Sequence, residues 1–85
     1  MAYRVALTPA AAKNLDDLPS VLRPRVAEAL RKLADNPRPP KCKKLEGQTG
    51  YRVAVGDYRI LYLIDDRTKT VTAYKIGHRR EVYRD

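Results

Sequence analysis

A single cysteine, Cys42, and a single histidine, His78, stand in a chain of 85 residues. Cys42 has no partner, so no internal disulfide forms, and the disulfide-rich plan of small secreted domains is excluded. No apolar run approaches the roughly 20 residues of a membrane helix. Met1 to Leu7 alternates apolar and charged residues and lacks the apolar stretch of a secretory signal. These absences point to the cytosol and to no membrane partner. Zinc-ligand spacing, a glycine-rich phosphate loop and a nucleophilic triad are also missing, so neither a metal nor a cofactor is expected. Asp65 and Asp66 are adjacent acids in a turn, where carboxylates bond local backbone well, and are not read as a metal pair. Internal repeats, low-complexity segments and dividing linkers are absent, which leaves one domain over residues 1–85.

What the chain does have is positive charge. Lysine and arginine total 18 against 10 acids, for a net charge of +8. Eleven of the 18 are arginine, whose rigid fork of donors suits phosphate better than a lysine does. Such a balance favours polyanions and acidic proteins as partners.

The pattern along the chain is β-α-α-β-β-β, an α+β domain. Tyr3 to Leu7 reads as a strand. Thr8-Pro9 reads as a helix start, with threonine as cap and proline at the first helical position. Ala11, Leu15 and Leu18 form a short apolar stripe, which Pro19 ends. Leu22, Val26, Ala29, Leu30 and Leu33 predict a second helix near Ser20 to Asp35, stopped by Asn36-Pro37. Lys41 to Glu46 is a basic approach to the sheet, and Lys43 to Leu45 is expected to pair briefly with it. Tyr51 to Val55 and Tyr58 to Ile64 are strands joined by Gly56-Asp57, a two-residue hairpin turn. A last strand runs from about Thr70 to His78. The expected result is an antiparallel sheet with a two-helix hairpin packed on one face.

The short hairpin fixes a register. Val55 faces Tyr58, Ala54 faces Arg59, and Arg52 faces Leu61. Tyr51, Val53, Val55, Tyr58, Ile60 and Tyr62 then share one apolar face, which should meet the second helix. Arg52 and Arg59 share the other face across the small Ala54. Like charges this close repel, and an anion between them would make the pair useful; two arginines splayed into water is the alternative. The longer turn before Thr70 leaves the last pairing open by one residue, so register alone does not choose between His78 and Arg79 as the group beside Arg59.

The motifs Lys44-Leu45, Tyr51-Arg52, Gly56-Asp57-Tyr58-Arg59 and the run Gly77 to Tyr83 resemble the RelE branch of the RelE/ParE superfamily of toxins. With the N-terminal strand and helical hairpin, the resemblance covers nearly the whole chain. It implies a fold like that of small microbial ribonucleases. It also implies ribosome-dependent cleavage of mRNA in the A site, by a toxin that a cognate acidic, RelB-like antitoxin holds inactive. Operator DNA would be contacted only through that antitoxin. By position, the resemblance assigns the scissile phosphate to Arg59, a second catalytic arginine to Arg79, and packing on or orienting the substrate nucleotide to Tyr83. It places Arg52 where many members have lysine. A further family lysine is replaced here by Ala54, which leaves the base unassigned.

Without a metal, RNA is cut by its own 2′-hydroxyl attacking the adjacent phosphate, and arginines suit the charge that develops. His78 is a candidate acid or base, since histidine titrates near neutrality. Lys44, Lys75 and Arg80 are candidates for phosphate contact. Two other functions fit the same resemblance: a ParE-like inhibitor of DNA gyrase, and a catalytically inactive relative that only binds an antitoxin.

Overall fold

In the computed structural model, which describes residues 2–82, two helices lie against one face of a five-stranded sheet. The elements are β1 (Arg4–Leu7), α1 (Pro9–Asp16), α2 (Leu22–Asp35), β2 (Lys43–Lys44), β3 (Tyr51–Val55), β4 (Tyr58–Asp65) and β5 (Thr70–His78). The sheet order is β1-β5-β4-β3-β2.

The helix starts follow local chemistry. Thr8 has extended backbone, and its Oγ1 accepts a hydrogen bond from the Ala11 amide at 3.1 Å. Pro9 follows at the first helical position, where its missing N–H costs nothing. α2 has no side-chain cap. Instead the Pro19 carbonyl accepts from the Leu22 and Arg23 amides, so the helix begins at Leu22 and Pro24 falls within its first turn.

The core joins the inner stripe of the helices to the inner face of the sheet. Ala11, Leu18, Val26, Leu30 and Leu33 pack against Val53, Val55, Ile60, Tyr62, Val71, Ala73 and Ile76. The hairpin register is the expected one, with Val55 opposite Tyr58, Ala54 opposite Arg59 and Arg52 opposite Leu61. Gly56 has φ +60° and no positive φ is recorded at Asp57, the arrangement of a type II′ turn.

Two features depart from the sequence reading. The sheet is mixed, because β1 pairs with β5 in parallel. Short turns force β3–β4 and β4–β5 to be antiparallel, but β1 meets β5 only after the chain has passed through both helices and three strands. No turn constrains its direction. The brief pairing expected at Lys43 to Leu45 does form, with Lys43 and Lys44 opposite Arg52 and Tyr51. The second departure is a bulge in the β4–β5 ladder: Tyr62 pairs with Ala73 but Leu61 pairs with Lys75, so Tyr74 is the extra residue. Tyr74 thereby joins Leu45, Leu61 and Val82 in a second small apolar cluster.

Candidate nucleic-acid interface

On the face of the sheet turned away from the helices, two side-chain rows lie toward the β3–β4 hairpin turn. One row runs Lys43–Arg52–Leu61–Lys75 across β2, β3, β4 and β5. The next runs Ala54–Arg59–Gly77. The bulge produces this second row. An unbroken register would put Ile76 opposite Arg59 and strand an isoleucine outside the core; the extra residue turns Ile76 inward, where it is 3% exposed, and leaves Gly77 beside Arg59. The chain then turns back, with the Glu81 and Val82 amides donating to the His78 carbonyl. Val82 closes over Gly77, 3.7 Å from where a Cβ would stand.

Between these rows lies an open cleft of about 170 Å³ lined by Lys41, Lys43, Arg52, Ala54 and Arg59. A second depression of about 450 Å³ adjoins it at Lys43 and Arg52 and adds Lys44, Leu45, Glu46 and Gln48. Glu46 is the single acid among the residues lining the two. Arg59 is half-buried, and its Nη1 donates to the Gly56 and Tyr58 carbonyls at 3.1 and 3.0 Å. These bonds fix the guanidinium plane at the hairpin tip and use only part of its five-donor fork. Arg79 reaches the same tip from β5. Its amide donates to the Asp57 carbonyl at 2.8 Å, and its Nε lies 4.0 Å from Asp57 Oδ1.

The comparisons agree with this architecture. The sequence model of the ParE toxin of type II toxin–antitoxin systems matches residues 5–83. Toxin RelG of Mycobacterium tuberculosis is 35% identical over 99% of both chains. The chain is also similar to the RelBE2 toxin–antitoxin complex of M. tuberculosis, at 31% identity and TM-score 0.82, covering 92% of this chain and 99% of that one. An archaeal RelE–RelB complex from Pyrococcus horikoshii OT3 gives 31% identity and TM-score 0.81 over 95% and 99%. The chain belongs to the RelE/ParE superfamily of type II toxins.

The toxin brings Arg52 and Arg59 together on one face, with Lys75 in the Arg52 row. It separates His78 from them. His78 pairs with Tyr58 on the helix-bearing side and meets that ring edge-on, with centroids 5.4 Å apart. Its Nδ1 accepts from the Arg80 amide at 3.1 Å. The open question of which residue flanks Arg59 has a third answer: it is Gly77. Lys44 sits opposite Tyr51, one position out of phase with the cationic row, and helps to wall the adjoining depression. Arg79 and Arg80 are exposed at the end of β5. Tyr83 lies outside the described residues.

The sequence reading placed Lys41 and Lys43 on the basic approach to the sheet but not among the site residues. Their signal was the period-two spacing Lys41-Cys42-Lys43, which becomes informative once β2 is known to pair with β3. Of the two turn acids, Asp65 caps its own turn, accepting from the Arg67 and Thr68 amides at 3.0 and 3.2 Å. Asp66 instead accepts from the Tyr3 hydroxyl at 2.6 Å and pairs with Arg38 at 2.9 Å. Hydrogen bonds from Arg38 and then Tyr3 hold its carboxyl below the usual range.

Proposed function

We propose that this toxin is an endoribonuclease that cuts mRNA positioned in the A site of the ribosome. The observation that supports the reading best is the cleft beside Arg59, cationic on its walls and open because alanine and glycine flank the arginine. In that cleft a phosphodiester would meet guanidinium donors from Arg59 and Arg52, with Arg79 approaching from the hairpin tip. The RNA 2′-oxygen attacks phosphorus, the 5′-oxygen leaves, and the products carry a 2′,3′-cyclic phosphate and a 5′-hydroxyl. Arginines stabilise the charge that builds on the phosphoryl oxygens. Tyr83 would stack on a substrate base, and Lys44, Lys75 and Arg80 would contact flanking phosphates. His78, on the other side of the sheet, takes no part in proton transfer. Solvent, with the ribosome supplying alignment, removes and returns the protons.

The partner is an acidic antitoxin of the RelB type. Similar chains occur in the RelBE2 toxin–antitoxin complex of M. tuberculosis and the RelE–RelB complex of P. horikoshii, and a net charge of +8 favours an acidic partner. Contact with operator DNA would run through that antitoxin, and both proteins would act in the cytoplasm.

A second reading is an inhibitor of DNA gyrase that binds and cuts nothing, favoured by the ParE name of the matching family. Induction in cells followed by primer extension on a translated message separates the two. Discrete cuts inside reading frames are expected. Intact mRNA with damaged DNA would replace the ribonuclease reading by the gyrase one.

A further inference from the structure

Arg59 has almost nothing beside it within its own row. Its neighbour on β3 is Ala54 and its neighbour on β5 is Gly77. Beyond Ala54 a further cation borders the same cleft. Lys43 pairs with Arg52 at the start of β2, and the turn that leads into that strand carries Lys41. Lys41 precedes β2, yet it lines the cleft together with Lys43, Arg52, Ala54 and Arg59. Lys41 and Arg59 thus border one cleft with Ala54, whose methyl group is the whole side chain opposite Arg59.

The segment that carries Lys41 is held in place. Arg38 is anchored to Asp66 at 2.9 Å, and two stiff prolines, Pro39 and Pro40, follow it. The Cys42 amide then donates to the Pro39 carbonyl at 2.9 Å and closes a turn around Lys41. A lysine on such a segment reaches into the cleft without ordering its backbone on binding.

The geometry points to Lys41 as a further substrate-contacting cation, whose ammonium binds an oxygen of the same RNA phosphate that Arg59 holds from the other side of Ala54. This deepens the ribonuclease reading and rests on it. Lys41 exchanges no proton in the step; the bonds made and broken remain those of the 2′-oxygen attack. Its role is to neutralise charge on the phosphoryl oxygens between two cations that would otherwise repel.

The test uses the full-length toxin and two readouts: single-turnover cleavage on programmed ribosomes, and anisotropy binding of a 2′-O-methyl oligoribonucleotide, which cannot be cut. Lys41→Ala should lower cleavage and binding by roughly ten- to hundredfold, the loss of one charged hydrogen bond. Lys41→Arg should keep most of both. Ala54→Lys placed in the Lys41→Ala background should restore them, since a lysine there enters the same cleft. Lys13→Ala removes an equal charge from α1, where Lys13 pairs with Asp17 on the surface, and should change neither readout. The inference is overturned if Lys41→Ala matches Lys13→Ala in binding, or if Ala54→Lys fails to rescue. If the native toxin cuts no message, the ribonuclease reading fails by itself. The binding series then still decides whether Lys41 contacts RNA phosphate.

Discussion

Arg59 of β4 lies directly across from Gly77 of β5, and Val82 closes over that glycine. The contact leaves room for one carbon. A Cβ at position 77 would meet Val82 at 3.7 Å, an ordinary packing distance. Gly77→Ala should therefore fold with little change in melting temperature. Gly77→Val should push on Val82, which is 2% exposed, at a cost of about 1–3 kcal/mol for overpacking. Thermal melts of the two variants check this, and a valine variant as stable as the native chain would show that the turn yields freely.

Arg59→Ala should abolish growth arrest while leaving the fold in place. The guanidinium bonds only two hairpin-tip carbonyls, both of which water can reach when it is gone. Each such bond contributes on the order of 1 kcal/mol, so the urea midpoint should fall modestly. A folded Arg59→Ala protein that still arrests growth would remove the arginine from the site.

Which parts of this arrangement were legible in sequence follows from how each pairing is constrained. The β3–β4 register was readable because Gly56-Asp57 allows a single one. The β4–β5 register was not, because its longer turn leaves the phase open and the bulge at Tyr74 adds one residue that no local pattern announces. Arg59 and Arg52 were therefore placed correctly on one face, while the relation of His78 and Arg79 to them was left open. The parallel pairing of β1 was hidden because no turn connects it to β5. Lys41 escaped notice because β2 is two residues long, too short to show alternation of its own.

Tyr62→Phe should destabilise the toxin without touching the cationic face. The Tyr62 ring is fully buried, and its hydroxyl donates to the Pro37 carbonyl at 2.8 Å. Burial, then the nearby Cys42 thiol, pushes the phenol well above its usual range, so it stays a neutral donor. Removing it leaves a carbonyl of the buried Pro37 without that partner, at a cost of about 1–3 kcal/mol. Urea unfolding should show a lower midpoint with an unchanged slope, and RNA binding should hold.

The Asp66 pairing gives stability a pH dependence at the acid end. Arg38 and Tyr3 lower the Asp66 pKa in the folded state from its reference of 3.8. A depressed carboxylate contributes stability that is present above the reference pKa and is lost as pH falls through the folded value. Both partners are exposed, so the effect is small and weakened by salt. Melting curves of the native chain and Asp66→Asn should differ at pH 7, and the gap should begin to shrink near pH 3.8 and close once pH passes below the lowered Asp66 value. A gap that persists into acid would assign the difference to packing instead of charge.

The last expectation concerns proton transfer. A histidine base would give cleavage a rising limb between about pH 5 and 8, because no other side chain titrates there unperturbed. His78 is the one histidine in the chain, and two contacts turn it away from the cleft: the Tyr58 ring at 5.4 Å, and the Arg80 amide that Nδ1 accepts. To reach a 2′-hydroxyl beside Arg59 it would have to abandon both and cross to the other face of β5. The cleft itself is lined by lysines, arginines and an alanine, with no imidazole or carboxylate among them. Single-turnover cleavage on programmed ribosomes from pH 5.5 to 8.5 should therefore show no limb that His78→Gln erases. His78→Gln should lower stability slightly, through the lost ring contact, and leave the rate alone. A limb present in the native toxin and absent from His78→Gln would mean that the strand end rearranges on the ribosome and delivers the imidazole to the substrate.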